Sequence, residues 1–281
     1  MRSPRIVSTV FVVLSVAVGL RTADGVAGRP YLALGDSITF GFIANAGFAY
    51  VNPDNFIGFP SYVSQSLRLD AVNASCPGET TGSFLSMTAP DNGCRFYRSL
   101  VPLHIAYSAT QGDFAVAFLR AHPEVKLVTI SLGANDVLLL QAQCSNDLSC
   151  IENGLPQVLT TVTTNLATIL ADLCAAGFMG TIVVMNYYSL DDTDPHVTAT
   201  FKALNQAIAA AAAAAGVPLA DVFTAFQKAA APAGGHACNA GLLNASPQNQ
   251  FVCDIHPSQS GQALIARTIE HTVGTMRGKT H

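Results

Sequence analysis

The sequence has no tryptophan, few charged residues and no basic segment beyond its first residues. Charged residues make up 11% of the 281 positions, against roughly 25% in ordinary soluble domains. The formal net charge is −4, so a nucleic-acid partner has no electrostatic support. The absence of tryptophan disfavours a sugar-stacking platform, although tyrosine and phenylalanine rings can also stack on sugars.

The N-terminal segment is typical of a secretory signal peptide. Two arginines give it a positive start, an uncharged and mostly apolar run covers 6–20, and small residues follow. We expect 1–28 to be the signal and 29–281 to be a single secreted domain. An uncleaved membrane anchor is the alternative, but the run is short for a span of about 20 residues. No later stretch is predicted to cross a bilayer.

All seven cysteines follow this segment, which favours disulfides in an exported protein. Neighbours in the sequence suggest three pairs: Cys76–Cys94, Cys144–Cys150 and Cys238–Cys253. Sequence alone does not fix this connectivity. Cys174 is left over, and we expect a buried free thiol because it lies among apolar residues on a predicted helix.

Strands and helices alternate along the chain, and three strands end in glycine turns with polar residues nearby. The run from Leu32 ends in Gly35-Asp36-Ser37, the short strand 71–74 leads to Gly78, and the strand 125–132 ends in Gly133-Ala134-Asn135-Asp136. The alternation predicts an α/β fold, a three-layer α/β/α sandwich with a mainly parallel central sheet, flavodoxin-like in layout. Because parallel strands end along one edge of the sheet, we expect these turns to converge.

The remaining pattern fills in the sandwich. Two further strands are predicted at 181–186 and 217–222, the second at an edge because it contains a proline. Helices are predicted at 59–69, 114–120, 155–173, 196–215, 223–231 and 257–273. The stretches 39–57, 83–112 and 232–255 are rich in turn residues and are predicted as loops.

Ser37 is the candidate nucleophile, and it needs a base and oxyanion donors. No serine lies in a Gly-x-Ser-x-Gly sequence, which argues against the nucleophile elbow of the α/β-hydrolases. Among seven histidines, His256 is the best candidate base, because Asp254 is close by and a predicted helix follows. The oxyanion donors would be the backbone N–H groups of Ser37 and Gly78 and the side-chain amide of Asn135.

Four short blocks resemble those of the GDSL or SGNH hydrolases. They are Gly35-Asp36-Ser37-Ile38, Gly78, Gly133-Ala134-Asn135-Asp136 and His256-Pro257-Ser258, in the family's order. The resemblance covers nearly the whole mature chain. It implies the SGNH-hydrolase fold and ester hydrolysis with no cofactor or metal. Its implied roles are Ser37 as nucleophile, His256 as general base and then acid, and Gly78 and Asn135 as oxyanion donors. The three disulfides resemble those of the secreted actinobacterial lipase and esterase branch.

One position departs from the family's pattern. The catalytic acid usually lies three residues before the histidine, where this sequence has Cys253, and Asp254 lies only two before it. Either Asp254 reaches the imidazole through a local change in the loop, or a backbone carbonyl orients the ring in a dyad. We favour Asp254 as the acid.

The expected reaction is two-step acyl transfer by a monomer on a small-molecule ester or lipid. A lipase or carboxylesterase is the first interpretation, and a carbohydrate deacetylase or phospholipase is the second. A catalytically silent lipid- or glycan-binding member is disfavoured by the intact set of Ser, Gly, Asn and His. A zinc site could be assembled from His236, Cys238, Cys253 and His256. Disulfide formation is the expected fate of those cysteines.

Overall fold

The computed structural model describes residues 28–189, 192–246 and 249–278, so the predicted signal segment lies almost wholly outside the described residues. Strands in these ranges are β1 (Arg29–Gly35), β2 (Leu69–Asn73), β3 (Leu127–Ser131), β4 (Thr181–Met185), β5 (Leu219–Ala220), β6 (Leu243–Ser246) and β7 (Asn249–Pro257). Helices α1 to α5 are Ser37–Phe40, Phe59–Leu67, Thr81–Leu85, Cys94–Leu100 and Gln111–Ala121. Helices α6 to α10 are Ala134–Gln143, Leu148–Ala175, Pro195–Ala214, Val222–Ala230 and Gln259–Gly278.

The central sheet has five parallel strands in the order β2-β1-β3-β4-β5. Helices α2, α9 and α10 pack together against it, and α3, α5, α6, α7 and α8 form a second group of packed helices. The predicted α/β fold with a parallel central sheet is confirmed. The strand predicted at 217–222 lies at the edge of the sheet, as expected. It is shortened to β5, in which Leu219 and Ala220 pair with β4.

Sequence periodicity explains the main elements. All five residues of β3 are buried, as expected of a β-branched strand covered on both faces. Along α7 the buried residues recur at helical spacing, from Val162 through Leu166 to Leu173. Cys174 is adjacent to this stripe and is exposed rather than buried, because one residue along a helix turns the side chain by about 100°.

Helix α7 also corrects the prediction that no later stretch could cross a bilayer. By length and composition alone, Leu148–Ala175 is apolar enough to do so. One stripe of the helix is buried and packs against α3, α5, α6 and α8.

Short elements occupy parts of two of the predicted loops. The stretch 83–112 includes α4 and the end of α3, and 232–255 contains an antiparallel hairpin of β6 and β7. Helix α6 follows directly on the third glycine turn. Disulfides fix two of these elements, through Cys94 in α4 and Cys253 in β7.

Candidate active site

Ser37 is the first residue of α1, directly beyond the carboxyl end of β1. Gly35 has φ +146°, and a Cβ there would lie 2.5 Å from the Ser131 carbonyl oxygen, so the tight turn requires glycine. The Asp36 carboxylate caps the helix by accepting from the Ile38 N–H at 2.9 Å. The strand end therefore presents Ser37 at the sheet edge.

Gly78 occupies a second tight turn that requires glycine, beside this serine. Its φ is +86°, and a Cβ there would collide with the Asn92 carbonyl oxygen. The Asn92 N–H donates to the Gly78 carbonyl at 2.8 Å and fixes the turn. Neither the Ser37 N–H nor the Gly78 N–H has an acceptor among the described residues, so both remain available to a ligand.

Asn135 lies in the first turn of α6 and is almost wholly buried. Its Oδ1 accepts from Asn92 Nδ2 at 2.9 Å, and its Nδ2 donates to Asp36 Oδ2 at 3.4 Å. These two bonds fix which end of the amide carries the N–H groups, and one N–H is left for a ligand. Sequence reasoning identified Asn135 but missed Asn92, whose signal is its place in an Asp-Asn-Gly turn.

The Asp36 carboxylate is buried and supports the site from below. It also accepts from the Tyr187 hydroxyl at 2.6 Å. Burial raises the pKa of Asp36 to about 6, and the hydrogen bonds from Tyr187 and Ile38 partly oppose this. Tyr187 follows the end of β4, so a fourth strand end contributes to the site, which the sequence analysis did not identify.

His256 and Asp254 are paired on β7. The distance from His256 Nδ1 to Asp254 Oδ1 is 2.7 Å. Their side chains are 11% and 7% exposed, whereas Ile255 between them is 40% exposed. Residues two apart in a strand share a face, which explains how an acid two positions before the histidine reaches the ring. The β6–β7 ladder has register shifts here, and such bulges re-aim side chains beside active sites.

The Asp254 carboxylate is held from two sides. Its Oδ2 accepts from the Ala44 N–H at 2.8 Å, while Oδ1 faces the imidazole. Burial alone would raise the pKa of Asp254, but the hydrogen bond to His256 and the Ala44 N–H outweigh it and lower the pKa below its ordinary value. The Tyr188 hydroxyl donates to the Ile255 carbonyl at 2.6 Å and anchors the segment between the pair. The geometry provides a carboxylate on the imidazole, as the favoured interpretation requires.

One cavity of about 440 Å³ collects the predicted residues. Its lining includes Ser37, Gly78, Asn135 and His256. A second cavity of about 200 Å³ shares Ser37 and Asn135 with the first. The Ser37 hydroxyl and the His256 imidazole are not hydrogen bonded to one another in the described part of the chain. Such catalytic bonds often tighten only when substrate is bound.

The aromatic residues of the segment 41–58 and of α4 form the cavity wall. Phe42, Tyr50 and Tyr97 line it, and the Phe42 ring centroid lies 4.9 Å from that of His256. The Phe42 and Tyr50 rings stack at 5.5 Å. The cavity wall is therefore apolar on the side that faces the imidazole.

Three disulfides are formed, and each joins neighbours in sequence: Cys76–Cys94, Cys144–Cys150 and Cys238–Cys253. Because Cys238 and Cys253 are bonded to each other, they offer no thiolates to the alternative zinc site. The same holds for Cys76 and Cys94, whose sulfurs lie beside the Glu79 carboxylate.

A buried polar chain that the sequence analysis did not identify links the two glycine turns. The Gln111 amide accepts from the Gly35 N–H at 2.6 Å and donates to the Gly35 carbonyl at 2.9 Å. The same amide nitrogen donates to Glu79 Oε2 at 3.0 Å, and Ser83 donates to Glu79 Oε1 at 2.5 Å. Since Glu79 adjoins Gly78, this chain ties the serine turn to the second glycine turn.

We expect Glu79 to make the free energy of unfolding depend on pH. Burial raises its pKa from 4.5 to about 7, against the opposing hydrogen bonds from Ser83 and Gln111. Between pH 4.5 and about 7, the folded state holds a proton on Glu79 that the unfolded chain releases. The contribution of Glu79 to the free energy of unfolding therefore falls as pH rises. Glu79→Gln should remove this pH dependence. Between about pH 5 and about pH 8, its free energy of unfolding should therefore rise relative to that of the wild type by at most about 3 kcal/mol.

Urea unfolding of the Glu79→Gln variant and the wild type across this pH range measures the difference. Glu152→Gln, at an exposed position on α7, is the matched control and should show no such pH dependence. A difference in free energy of unfolding that is the same at every pH would contradict the assignment.

Comparison with known proteins identifies one family over most of the chain. Residues 33–264 match the model of the GDSL-like Lipase/Acylhydrolase family. No curated protein matches the sequence.

Several solved structures share the fold at low sequence identity. LAE5, an alpha/beta hydrolase enzyme from the metagenome of Lake Arreo, Spain, is 18% identical with a TM-score of 0.56, over 88% of this chain and 96% of its own. Axe2, an acetylxylan esterase from Geobacillus stearothermophilus, is 17% identical with a TM-score of 0.56, over 88% of this chain and 95% of its own. Phospholipase A1 from Streptomyces albidoflavus NA297 is 17% identical with a TM-score of 0.57, over 88% and 100%. At these identities the likeness is one of fold.

Proposed function

The chain belongs to the GDSL-like lipase/acylhydrolase family, and we propose that within it the protein is a secreted serine esterase or lipase. The proposed reaction is hydrolysis of a carboxylic ester through an acyl-enzyme on Ser37. The observation that carries the proposal is the convergence of Ser37, Gly78, Asn135 and His256 on one cavity.

In the first half of the reaction, His256 takes the proton from the Ser37 hydroxyl as its oxygen attacks the ester carbonyl. The unpaired N–H groups of Ser37 and Gly78, with the Asn135 amide, donate to the oxyanion that develops. His256 then gives the proton to the departing alcohol, and the acyl group remains on Ser37. Asp254 orients the ring and stabilises the imidazolium.

In the second half, a water molecule attacks the acyl-enzyme. His256 takes a proton from this water, the same donors hold the second oxyanion, and the proton returns to the Ser37 oxygen as the acid leaves. Every step uses side chains and backbone groups of this chain.

The apolar cavity wall favours an acyl chain over a sugar. Aromatic rings stand beside the imidazole, and leucine and isoleucine side chains continue the wall outward. A lipase or carboxylesterase is therefore the proposed activity, and phospholipids and acetylated sugars are the substrates against which it must be tested.

We propose that the protein acts outside the cell, after removal of 1–28. The three disulfides support this location, because such bonds persist in oxidising surroundings. They also support a place in the secreted actinobacterial branch of the family.

A fluorophosphonate probe tests the proposal directly. The wild type should be labelled at Ser37 and lose its esterase activity, whereas Ser37→Ala should not be labelled, because the probe needs an activated serine. Turnover is then compared for glycerides, aryl esters, phospholipids and acetylated sugars. An unlabelled wild type would indicate a silent binding member, and a preference for acetylated sugars would indicate a deacetylase.

A further inference from the structure

The exposed apolar side chains of this protein are concentrated around the opening of the active-site cavities. Eleven large hydrophobic side chains are exposed among the described residues. Four of them line one or both cavities: Phe96, Leu100, Leu148 and Ile255. Four others lie in the segment 41–58, which also supplies two rings to the cavity wall: Ile43, Phe48, Val51 and Ile57. Eight of the eleven thus lie in segments that line the two cavities, and such a concentration of exposed apolar side chains is typical of an interaction surface.

We call the four most exposed of these side chains beside the larger cavity, Phe48, Val51, Phe96 and Leu100, the apolar rim. Phe48 is 94% exposed and Phe96 is 71% exposed. Exposure of such side chains to water is unfavourable, so covering them with an apolar phase lowers the free energy.

The rim is held in place by the structure beneath it. Tyr50, between Phe48 and Val51 in the chain, has its ring centroid 6.1 Å from that of Tyr97. Tyr97 in turn lies between Phe96 and Leu100 on α4. The disulfide from Cys94, the first residue of α4, to Cys76 fixes this helix to the serine edge of the sheet. The segments that carry the rim side chains are thus joined by the contact between the half-buried Tyr50 and Tyr97 rings.

Charge does not oppose contact with an apolar phase. The segment 41–58 contains a single charged residue, Asp54. In α4, Arg95 is paired with Asp91 at 2.8 Å, and Arg98 donates to two backbone carbonyl oxygens at 3.1 Å. Both cations therefore have partners within the protein.

We propose that the apolar rim docks this protein on the surface of aggregated lipid esters, with the larger cavity opening onto the lipid. The inference rests on the proposed function, because docking lets an ester enter the cavity of Ser37 from the lipid phase. A second copy of the chain is the competing occupant. Lipid is favoured because Phe96 and Leu100 belong both to the rim and to the cavity wall, so a second copy seated there would close the opening.

The double variant Phe48→Ser/Val51→Ser tests docking, since neither residue lines a described cavity. Its kcat/KM for dissolved p-nitrophenyl acetate should stay within about twofold of wild type, while its rate on emulsified tributyrin should fall about tenfold or more. Binding to phosphatidylcholine vesicles, measured by sedimentation in a Ser37→Ala background, should fall similarly. Met179→Ser is the matched control. Met179 is 92% exposed but precedes β4, at the opposite edge of the sheet.

The outcomes separate docking from the proposed function. Unchanged vesicle binding by the double variant would overturn docking, even if the wild type hydrolyses p-nitrophenyl acetate. A wild-type dimer that the double variant dissociates would assign the rim to a second copy instead. Rim-dependent vesicle binding by a wild type that does not hydrolyse p-nitrophenyl acetate would support docking and contradict the proposed function.

Discussion

Replacing Ser37 with alanine is expected to lower kcat for a short-chain aryl ester by at least about 10⁴-fold. Without the Ser37 oxygen no acyl-enzyme can form. The oxyanion donors at Gly78 and Asn135 remain, so a small residual rate above that in water is expected. Initial rates of p-nitrophenyl butyrate hydrolysis at saturating substrate measure the decrease in kcat.

Ser61→Ala is the control for this variant, because it removes a serine hydroxyl at an exposed position on α2. It should retain wild-type turnover. Circular dichroism should show both variants folded, since the Ser37 side chain caps no helix and donates to no described partner. Turnover by Ser37→Ala within tenfold of wild type would refute the assigned nucleophile.

Replacing Asp254 with asparagine is expected to lower kcat/KM by about 10²- to 10⁴-fold. The carboxylate accepts from His256 Nδ1 and leaves Nε2 free to act as the base. An asparagine amide can present an N–H to the ring instead, and it then stabilises the wrong tautomer. KM should change little, because Asp254 lines neither described cavity.

This variant also distinguishes the two interpretations that the sequence leaves open. A dyad oriented by a backbone carbonyl would keep nearly all its activity in Asp254→Asn, and that result would remove Asp254 from the mechanism. Asp172→Asn, the same chemical change at an exposed position on α7, is the control and should leave kcat/KM unaltered.

The position of this acid shows where sequence reasoning reached its limit. The stretch 232–255 is predicted as a loop because it is rich in glycine, asparagine and proline. In the structure its end is part of β7, and the strand brings Asp254 and His256 to one face. The family's usual spacing of three residues does not predict this contact, because residues two apart share a face only where the segment is a strand.

The buried polar groups that support the site could not be identified from the sequence either. Gln111 and Glu79 are 32 residues apart in sequence, and Tyr187 is 151 residues from Asp36. Each pair meets only because parallel strands bring distant segments to one edge. A buried glutamate or tyrosine has no distinguishing sequence pattern, so nothing local marks these residues.

The sequence by itself determined the alternation of strands and helices, the glycine turns at the strand ends, and the residues that the family's blocks mark: Ser37, Gly78, Asn135 and His256. These are local properties, set by hydrophobic periodicity and by backbone conformations that only glycine adopts readily. Only the tertiary structure decided which carboxylate meets the imidazole, which groups hold Asp36 and Asn135, and where the exposed apolar side chains gather. Those contacts join residues far apart in the chain, and their energies depend on burial and distance, which exist only once the sheet has assembled.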